Sequence, residues 1–479
     1  MAANSFLRGA LVLLAAGLIN RVLGFFYQIA LIRTIGPEGV GLFSIVFPVY
    51  IMVLVLATAG IPLAVAKLVA EEVARKNMPG AYRIFKLSLF MLVCSSIFFT
   101  LLMVAGAPFF KQYIFPNPAA YYSFICLIPG ISVVALCSAF RGFFQGLQRM
   151  SPTAVSQILE QLVRVVVGLA AAYYMLPLGI EYAAAGLSAG VVLGEVAGFL
   201  LMLRIYRRDK PVFAQKPPWP VPGLGLRQLA GRLLSMAVPV TMTRFTATAL
   251  MSLQAILIPY QLQAAGLSVS QATGVYGQFV GITQSLLFVP GVITTALATA
   301  LVPAMSDAVA LNNLGLVRTR VYDAVRLTIQ AGMPAVFLFF LLGDELCKVL
   351  FGYPEAGAAL RLMAPAALFL YLQQTTTGIV QGLGRADIPF KNLVISSLVS
   401  LAGVYWLTGV PAFGILGTAA AVAVGYVVMA VLNLRDLAYL TGYVPGLREQ
   451  VLAPFAAACG MSGAVWGLKG FLLAGGLGD

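Results

Sequence analysis

Long apolar runs alternate with short polar stretches along almost the whole chain. A helix of about 20 apolar residues crosses the hydrocarbon of a bilayer. Thirteen runs meet that length, at roughly 6–33, 41–66, 84–106, 120–147, 153–176, 181–204, 232–259, 276–303, 322–343, 359–382, 391–410, 414–436 and 451–474. The first runs from Phe6 through Asn20 and Arg21 to about Ile35. That is too long for the cleaved core of a secretory signal, so it reads as a spanning helix. The only sizeable polar connector, about 205–231, carries Arg207, Arg208, Lys210, Lys216 and Arg227 among prolines 211, 217, 218, 220 and 222. It divides the chain into an N-lobe of six spans (1–206), a linker (207–227), a C-lobe of six spans (228–440) and a C-terminal span (441–479). The pattern predicts an all-α polytopic membrane protein.

Composition agrees with this. A soluble chain of 479 residues would form about three domains. This one is 61% hydrophobic and 10% charged, against about 25% charged in ordinary globular proteins. With 30 basic and 16 acidic residues it carries +14, and it has no histidine. That excludes a Ser-His-Asp triad, a histidine base, a histidine proton relay and any histidine-ligated metal. The five cysteines (Cys94, Cys126, Cys137, Cys347, Cys459) show no CxxC spacing and read as small buried hydrophobes. There is no Walker motif, so no ATP site and no cofactor is expected.

The positive charge sorts by side. With a cytoplasmic N-terminus, 21 of the 30 Lys and Arg fall in inside segments and five outside, namely Arg33, Lys111, Lys348, Arg361 and Lys469. Four lie within spans: Arg21, Arg141, Arg164 and Arg244. This is the positive-inside rule. The surplus charge is an orientation signal facing anionic lipid rather than a nucleic-acid surface.

The two blocks repeat one another. Gln145-Gly146-Leu147-Gln148-Arg149 with Pro152 matches Gln381-Gly382-Leu383-Gly384-Arg385 with Pro389 at an offset of 236. Gly179-Ile180 with Ala183–Ala185 matches Gly414-Ile415 with Ala419–Ala421 at 235 and 236, and Ala59–Pro62 matches Ala300–Pro303 at 241. Six spans per copy is an even number, so both copies enter from the same side. The repeat is therefore parallel, about an axis along the membrane normal, as in transporters that hold substrate between halves.

Ionisable groups inside spans are costly unless they face the bundle interior or a polar cavity. Arg21 and Arg244 occupy the first helix of each half and fall opposite each other across the pseudo-axis. A guanidinium fork matches two phosphate oxygens at once, so the pair, with Asn20, reads as an anion site. Ion pairing with Glu160 or Glu195, or snorkelling, are the structural alternatives. Glu160 and Arg164 have the spacing of a helical salt bridge; in the other reading Arg164 swings to substrate while Glu160 takes a proton or cation. Glu195, between Gly194 and Gly198, is a second coupling candidate or an arginine's partner. Arg141 reads as snorkelling to the inner surface, and Asp307 as a charge at the inner mouth. Pro62 and Pro303 interrupt the second and eighth spans and read as bending points or static kinks. The glycines at 179, 186, 190, 194 and 198 read as helix packing.

The strings Asn20-Arg21-Val22-Leu23-Gly24-Phe25 and Arg33-Thr34-Ile35-Gly36-Pro37-Glu38-Gly39-Val40-Gly41 resemble the polysaccharide-transporter branch of the multidrug/oligosaccharidyl-lipid/polysaccharide (MOP) exporter superfamily. Ala59-Gly60-Ile61-Pro62 and Arg141-Gly142-Phe143-Phe144-Gln145-Gly146 sharpen this to the stage V sporulation protein B family. The resemblance covers essentially the whole chain. It implies two MATE-like six-helix lobes in a V, alternating access, and movement of a lipid-linked cell-wall precursor across a bacterial inner membrane. Arg21 falls on a cavity arginine of related lipid II flippases. Tyr27 stands where they carry another, and Tyr50-Ile51-Met52-Val53-Leu54 lacks their second-helix arginines. Members with fourteen spans use the last two as a lipid-tail groove; thirteen are found here.

The resulting expectation is a non-enzymatic flippase, acting as a monomer, for an undecaprenyl-pyrophosphate-linked saccharide, a peptidoglycan precursor or another envelope unit. Its partners are that substrate and membrane lipid. A cation-coupled multidrug exporter and a non-transporting scaffold are the rivals.

Overall fold

The computed structural model describes residues 2–213, 225–444, 446–460 and 463. Among them every regular element is helical. In chain order these are α1 (Ala2–Thr58), α2 (Ile61–Ala74), α3 (Met78–Phe109), α4 (Ala120–Gly146), α5 (Ser151–Met175), α6 (Ile180–Phe213) and α7 (Leu226–Ala264). Then come α8 (Val269–Gln278), α9 (Ser285–Ala310), α10 (Leu314–Leu341), α11 (Gly343–Phe351), α12 (Ala356–Gly382), α13 (Asp387–Gly403) and α14 (Gly414–Thr441). Much of the proline-rich linker (214–224) and much of the thirteenth predicted span (451–474) lie outside the described residues.

Eleven helical segments among the described residues are long and apolar enough to span a membrane. The first, Val12–Ala74, takes in most of the first predicted span (6–33) and all of the second (41–66). The break between them is at Gly36, whose φ of 72° and ψ of 173° are non-helical. Pro37 comes next, and a residue before proline is steered out of the helical region. The second span was expected to run to about residue 66. It ends at Thr58, where Ala59 (φ 45°) and Gly60 (φ 60°) turn left-handed. Pro62 then lies in the first turn of α2, where its missing N–H costs nothing. It opens a helix rather than interrupting one, whereas Pro303 does sit inside α9.

The chain forms two compact units, one of Met1–Ile256 with Val269–Gly277, the other of Leu257–Ser268 with Gln278–Asp479. In the first, Val65, Leu68, Phe85, Phe140, Phe143 and Leu233 share one buried cluster. In the second, Met305, Val321, Met333, Ile379 and Leu437 do the same.

Within each unit, glycines mark where helices touch backbone to backbone. A Cβ at Gly142 would lie 2.5 Å from the Pro62 carbonyl oxygen, and one at Gly146 2.8 Å from that of Ala66. In the second unit, Gly378 meets Ala298 O at 2.6 Å and Gly382 meets Val302 O at 2.7 Å. All four residues and their partners correspond at an offset of 236, so the internal repeat is structural as well as sequential. This register sets Ala298, not Pro303, in the place of Pro62. The 241 offset of the proline match is therefore not the structural one.

The α5–α6 contact is tighter still. A Cβ at Gly190 would collide with Gly168 Cα, one at Gly186 would lie 2.9 Å from the Ala171 carbonyl carbon, and one at Gly194 2.7 Å from Glu160 O. Small residues of this kind let spanning helices approach where lipid offers no hydrophobic drive. In the second unit the corresponding glycines, Gly403 and Gly425, face Ala421 and Ser400.

Cys347 lies on α11 and is fully buried. Burial, with Asp344 and Glu355 nearby, pushes its thiol up to about 12. A thiol is nucleophilic as thiolate, so Cys347 should resist maleimide at neutral pH until the protein unfolds, whereas the exposed Cys94 and Cys459 should not; rapid modification of Cys347 itself in the native protein, read by peptide mapping, would contradict its placement. Gly190→Ala should cost about 1–3 kcal/mol by forcing α5 and α6 apart, lowering the melting temperature in detergent. Gly231→Ala, with open space around its Cβ, should not lower it.

Candidate functional site

The polar interior of the first unit is assembled by α1, α4, α5 and α6. Asn20, Gly24 and Tyr27 on α1 meet α5 at Gln157, Gln161 and Gly168 in turn: Asn20 Nδ2 donates to Gln157 O at 3.5 Å, and the Tyr27 hydroxyl fills the space beside Gly168. Both contact series ascend in sequence, so the two helices run parallel. One turn along from Gln161 sits Arg164, within electrostatic reach of Tyr27.

Four charged groups meet there. Arg141 donates to Glu160 Oε2 at 2.7 Å, and Arg164 donates to Glu160 Oε1 at 2.7 Å and to Glu195 Oε1 at 3.3 Å. The Glu160 and Glu195 side chains are 13% and 11% exposed. A buried charge must be paired, and two arginines against two glutamates leave no net charge when all are ionised. Glu160 is held on both oxygens. Glu195 has one long contact, and its Oε2 has no partner. Arg141 Nε, Arg164 Nε, the Tyr50 hydroxyl and Asn20 Oδ1 are likewise buried without one. Tyr50 reaches this group from α1 beside Gly130 of α4.

The glycine seam explains why the pairs form. Gly194 rests on Glu160 O and Arg164 Cβ, which brings the adjacent Glu195 against Arg164. Gly198 continues the seam with Glu160 Cβ and Arg141 Nη2 at 3.5 and 3.6 Å. Arg141 does not snorkel: it is drawn into the network because Glu160 lies across the α4–α5 contact. The internal repeat carries a signal for this. At an offset of 236 the counterpart of Arg141 is Thr377, which is also partnered, accepting from Asn433 Nδ2 at 3.1 Å. The polar contacts of the second unit run through amides and one carboxylate: Asn392 Nδ2 donates to Asn433 Oδ1 and Asp436 Oδ2 at 3.0 and 2.9 Å.

Arg21 and Arg244 stand apart from this network. Both are exposed, and among the described residues neither makes an ion pair. The carboxylates that would have neutralised them are bound to Arg141 and Arg164 instead. Arg244 lies on α7, in the stretch that packs with the first unit. The hydroxyls of Thr243, Thr246 and Thr248 around it bond to carbonyls of their own helix. Asp307 and Pro303 are exposed on α9. No group of His, Cys, Asp and Glu able to hold a metal occurs among the described residues.

A family model described as polysaccharide biosynthesis protein matches residues 6–309, and one described as MatE matches 279–406. The chain belongs to the polysaccharide biosynthesis protein family. It is 34% identical to stage V sporulation protein B of Bacillus subtilis, over 95% of this chain and 87% of that one. It is 26% identical to the lipid II flippase MurJ of the same organism, over 88% and 81%. An inward-facing MATE multidrug transporter of the MOP superfamily shares its fold at a TM-score of 0.72 and 15% identity, over 88% and 94% of the two chains. A MOP transporter from Pyrococcus furiosus, described as having a binding pocket of reversed polarity, matches at 0.62 and 16%, over 91% and 95%. The chain is thus a multi-pass membrane protein of that family, with the fold seen in MATE transporters.

Removing one member of a buried ion pair leaves the other uncompensated, at about 3–5 kcal/mol. Glu160→Ala should therefore destabilise the protein markedly in a thermal melt. Arg21→Ala should stay within about 0.5 kcal/mol of wild type; a comparable loss would show that Arg21 is a structural residue.

Proposed function

We propose that this protein is an alternating-access flippase for an undecaprenyl-pyrophosphate-linked saccharide, a peptidoglycan precursor or another cell-envelope unit. One observation carries the reading: two arginines within apolar spans, Arg21 and Arg244, are exposed and free of carboxylates among the described residues. A guanidinium in a span is too costly to leave facing hydrocarbon, so each faces water or an anionic ligand. A pyrophosphate offers the paired oxygens that the guanidinium fork fits. The family description, polysaccharide biosynthesis, and the relative named lipid II flippase support a lipid-linked sugar as cargo.

In this reading Arg21, Arg244 and Asn20 receive the pyrophosphate and proximal sugar, and Arg164 adds a third cation from α5 beside Tyr27. The lipid tail stays in the membrane. Pro303, inside α9, is a candidate bending point, Pro62 at the start of α2 a candidate hinge between helices, and Glu160 and Glu195 are candidate coupling groups. The protein works without ATP or a cofactor, as a transporter and not an enzyme. It lies in the bacterial inner membrane with its N-terminus in the cytoplasm, the orientation its basic loops favour. The MATE fold likeness favours a cation-coupled drug exporter as the second reading. It fits less well, because the two mid-span carboxylates of the first unit are bound by arginines.

The test is a reconstituted assay following labelled lipid-linked saccharides across the bilayer. Wild type should move the pyrophosphate-linked substrate. Arg21→Ala and Arg244→Ala should each weaken its binding about ten- to a hundredfold, the value of a charge-assisted contact. Unimpaired flipping by both variants, or export of cationic dyes in place of the saccharide, would overturn the proposal.

A further inference from the structure

We propose that Glu195 is a proton-binding site whose protonation releases Arg164 to an anionic substrate group. The proposal rests on the flippase reading for the identity of that group, but the proton site itself does not.

The asymmetry between the two glutamates is the starting point. Glu160 is anchored twice at 2.7 Å, by Arg141 and by Arg164. Glu195 is held once at 3.3 Å, and its second oxygen is buried with no partner although the residue is only 8% exposed. An ionised carboxylate oxygen buried without a donor is an expensive arrangement. A proton on the Glu195 carboxyl removes that buried charge. The cluster then gains one positive charge, and Arg164 loses its ionised partner on α6. Arg164 keeps Glu160, which Arg141 also serves, so the four groups are left with a surplus guanidinium that an anion can satisfy.

The surroundings favour a proton over a metal cation. From α5 Glu195 faces Arg164 and Glu160; from α4, Arg141 and Cys137; from α1, Tyr50. The described contact of α3 with α6 through ionisable groups is Tyr82 with Tyr206, further along α6. Two fixed guanidiniums repel a third full cation, whereas a proton is absorbed into the carboxyl group. Gly194 and Gly198 on either side of Glu195 hold α6 against α5 and keep Glu195 within reach of Arg164. Protonation and anion binding then support each other, as linkage requires: whatever raises affinity for one raises it for the other.

Full-length protein in lipid nanodiscs tests this by infrared difference spectroscopy between acid and alkaline pH. Wild type should show the carbonyl stretch of a protonated carboxyl that is missing in Glu195→Gln. Glu160→Gln should keep the band and move its midpoint to lower pH, because a like charge is gone; Arg164→Gln should move it to higher pH, each by about 1–3 units. Absence of a band dependent on Glu195 overturns the proposal even if the variant folds as wild type does. Binding of inorganic pyrophosphate is the second arm. Above the midpoint Glu195→Gln should bind it about tenfold more tightly than wild type, and below it the two should converge. Identical pyrophosphate profiles in both overturn the release of Arg164. No pyrophosphate binding in either, with the Glu195 band present, supports the proton site and refutes the anion-site reading. If sodium at fixed pH abolishes the band in wild type, the site selects a metal cation and the proton assignment falls.

Discussion

The close approach of α5 and α6 organises the first unit. In a bilayer two apolar helices gain little by exchanging lipid for each other, so their association depends on packing and on polar contacts. Gly168 on α5 and Gly186, Gly190, Gly194 and Gly198 on α6 remove the side chains that would hold the backbones apart. The consequence is electrostatic. Once the backbones touch, Glu195 has Arg164 as a neighbour, Arg164 has Glu160 one turn away, and Glu160 reaches Arg141 across α4. Four charges that would each be prohibitive alone become a neutral network. Adding even a methyl to the seam would unsettle both the packing and the ion pairs.

That network also accounts for the charges outside it. Because Glu160 and Glu195 are bound internally, Arg21 and Arg244 keep their positive charge without a protein counter-ion among the described residues. Among the described residues, the paired arginines are those with a carboxylate within reach on the same or an adjoining helix. The second unit repeats the helix contacts at an offset of 236 but fills the same region with Asn392, Asn433 and threonine hydroxyls. The duplicated scaffold has therefore been kept and its polar interior changed.

Much of this was legible in the order of the residues. Apolar runs of about 20 residues can only be spanning helices, and the bias of Lys and Arg toward alternate connectors is an orientation signal. The glycine spacing on α6 announced a packing face. The match of Gly146 to Gly382, within the longer strings around them, announced the duplication. The costly mid-span charges were recognisable too, since a charge within an apolar run is exceptional before any coordinates are known.

Which of those charges pair with which was decided in three dimensions. Arg141 looks close enough to the surface to snorkel, and its capture by Glu160 depends on the rotation of α4 against α5. Pro62 falls inside an apolar run, yet Ala59 and Gly60 turn left-handed ahead of it and make it a helix opener. The match of Pro62 to Pro303 is equally persuasive in one dimension, but the glycine contacts set a register in which they do not correspond. Periodicity and hydropathy depend on one helix at a time and so survive in the sequence. Pairing depends on distance and azimuth between helices, which are properties of the packed chain.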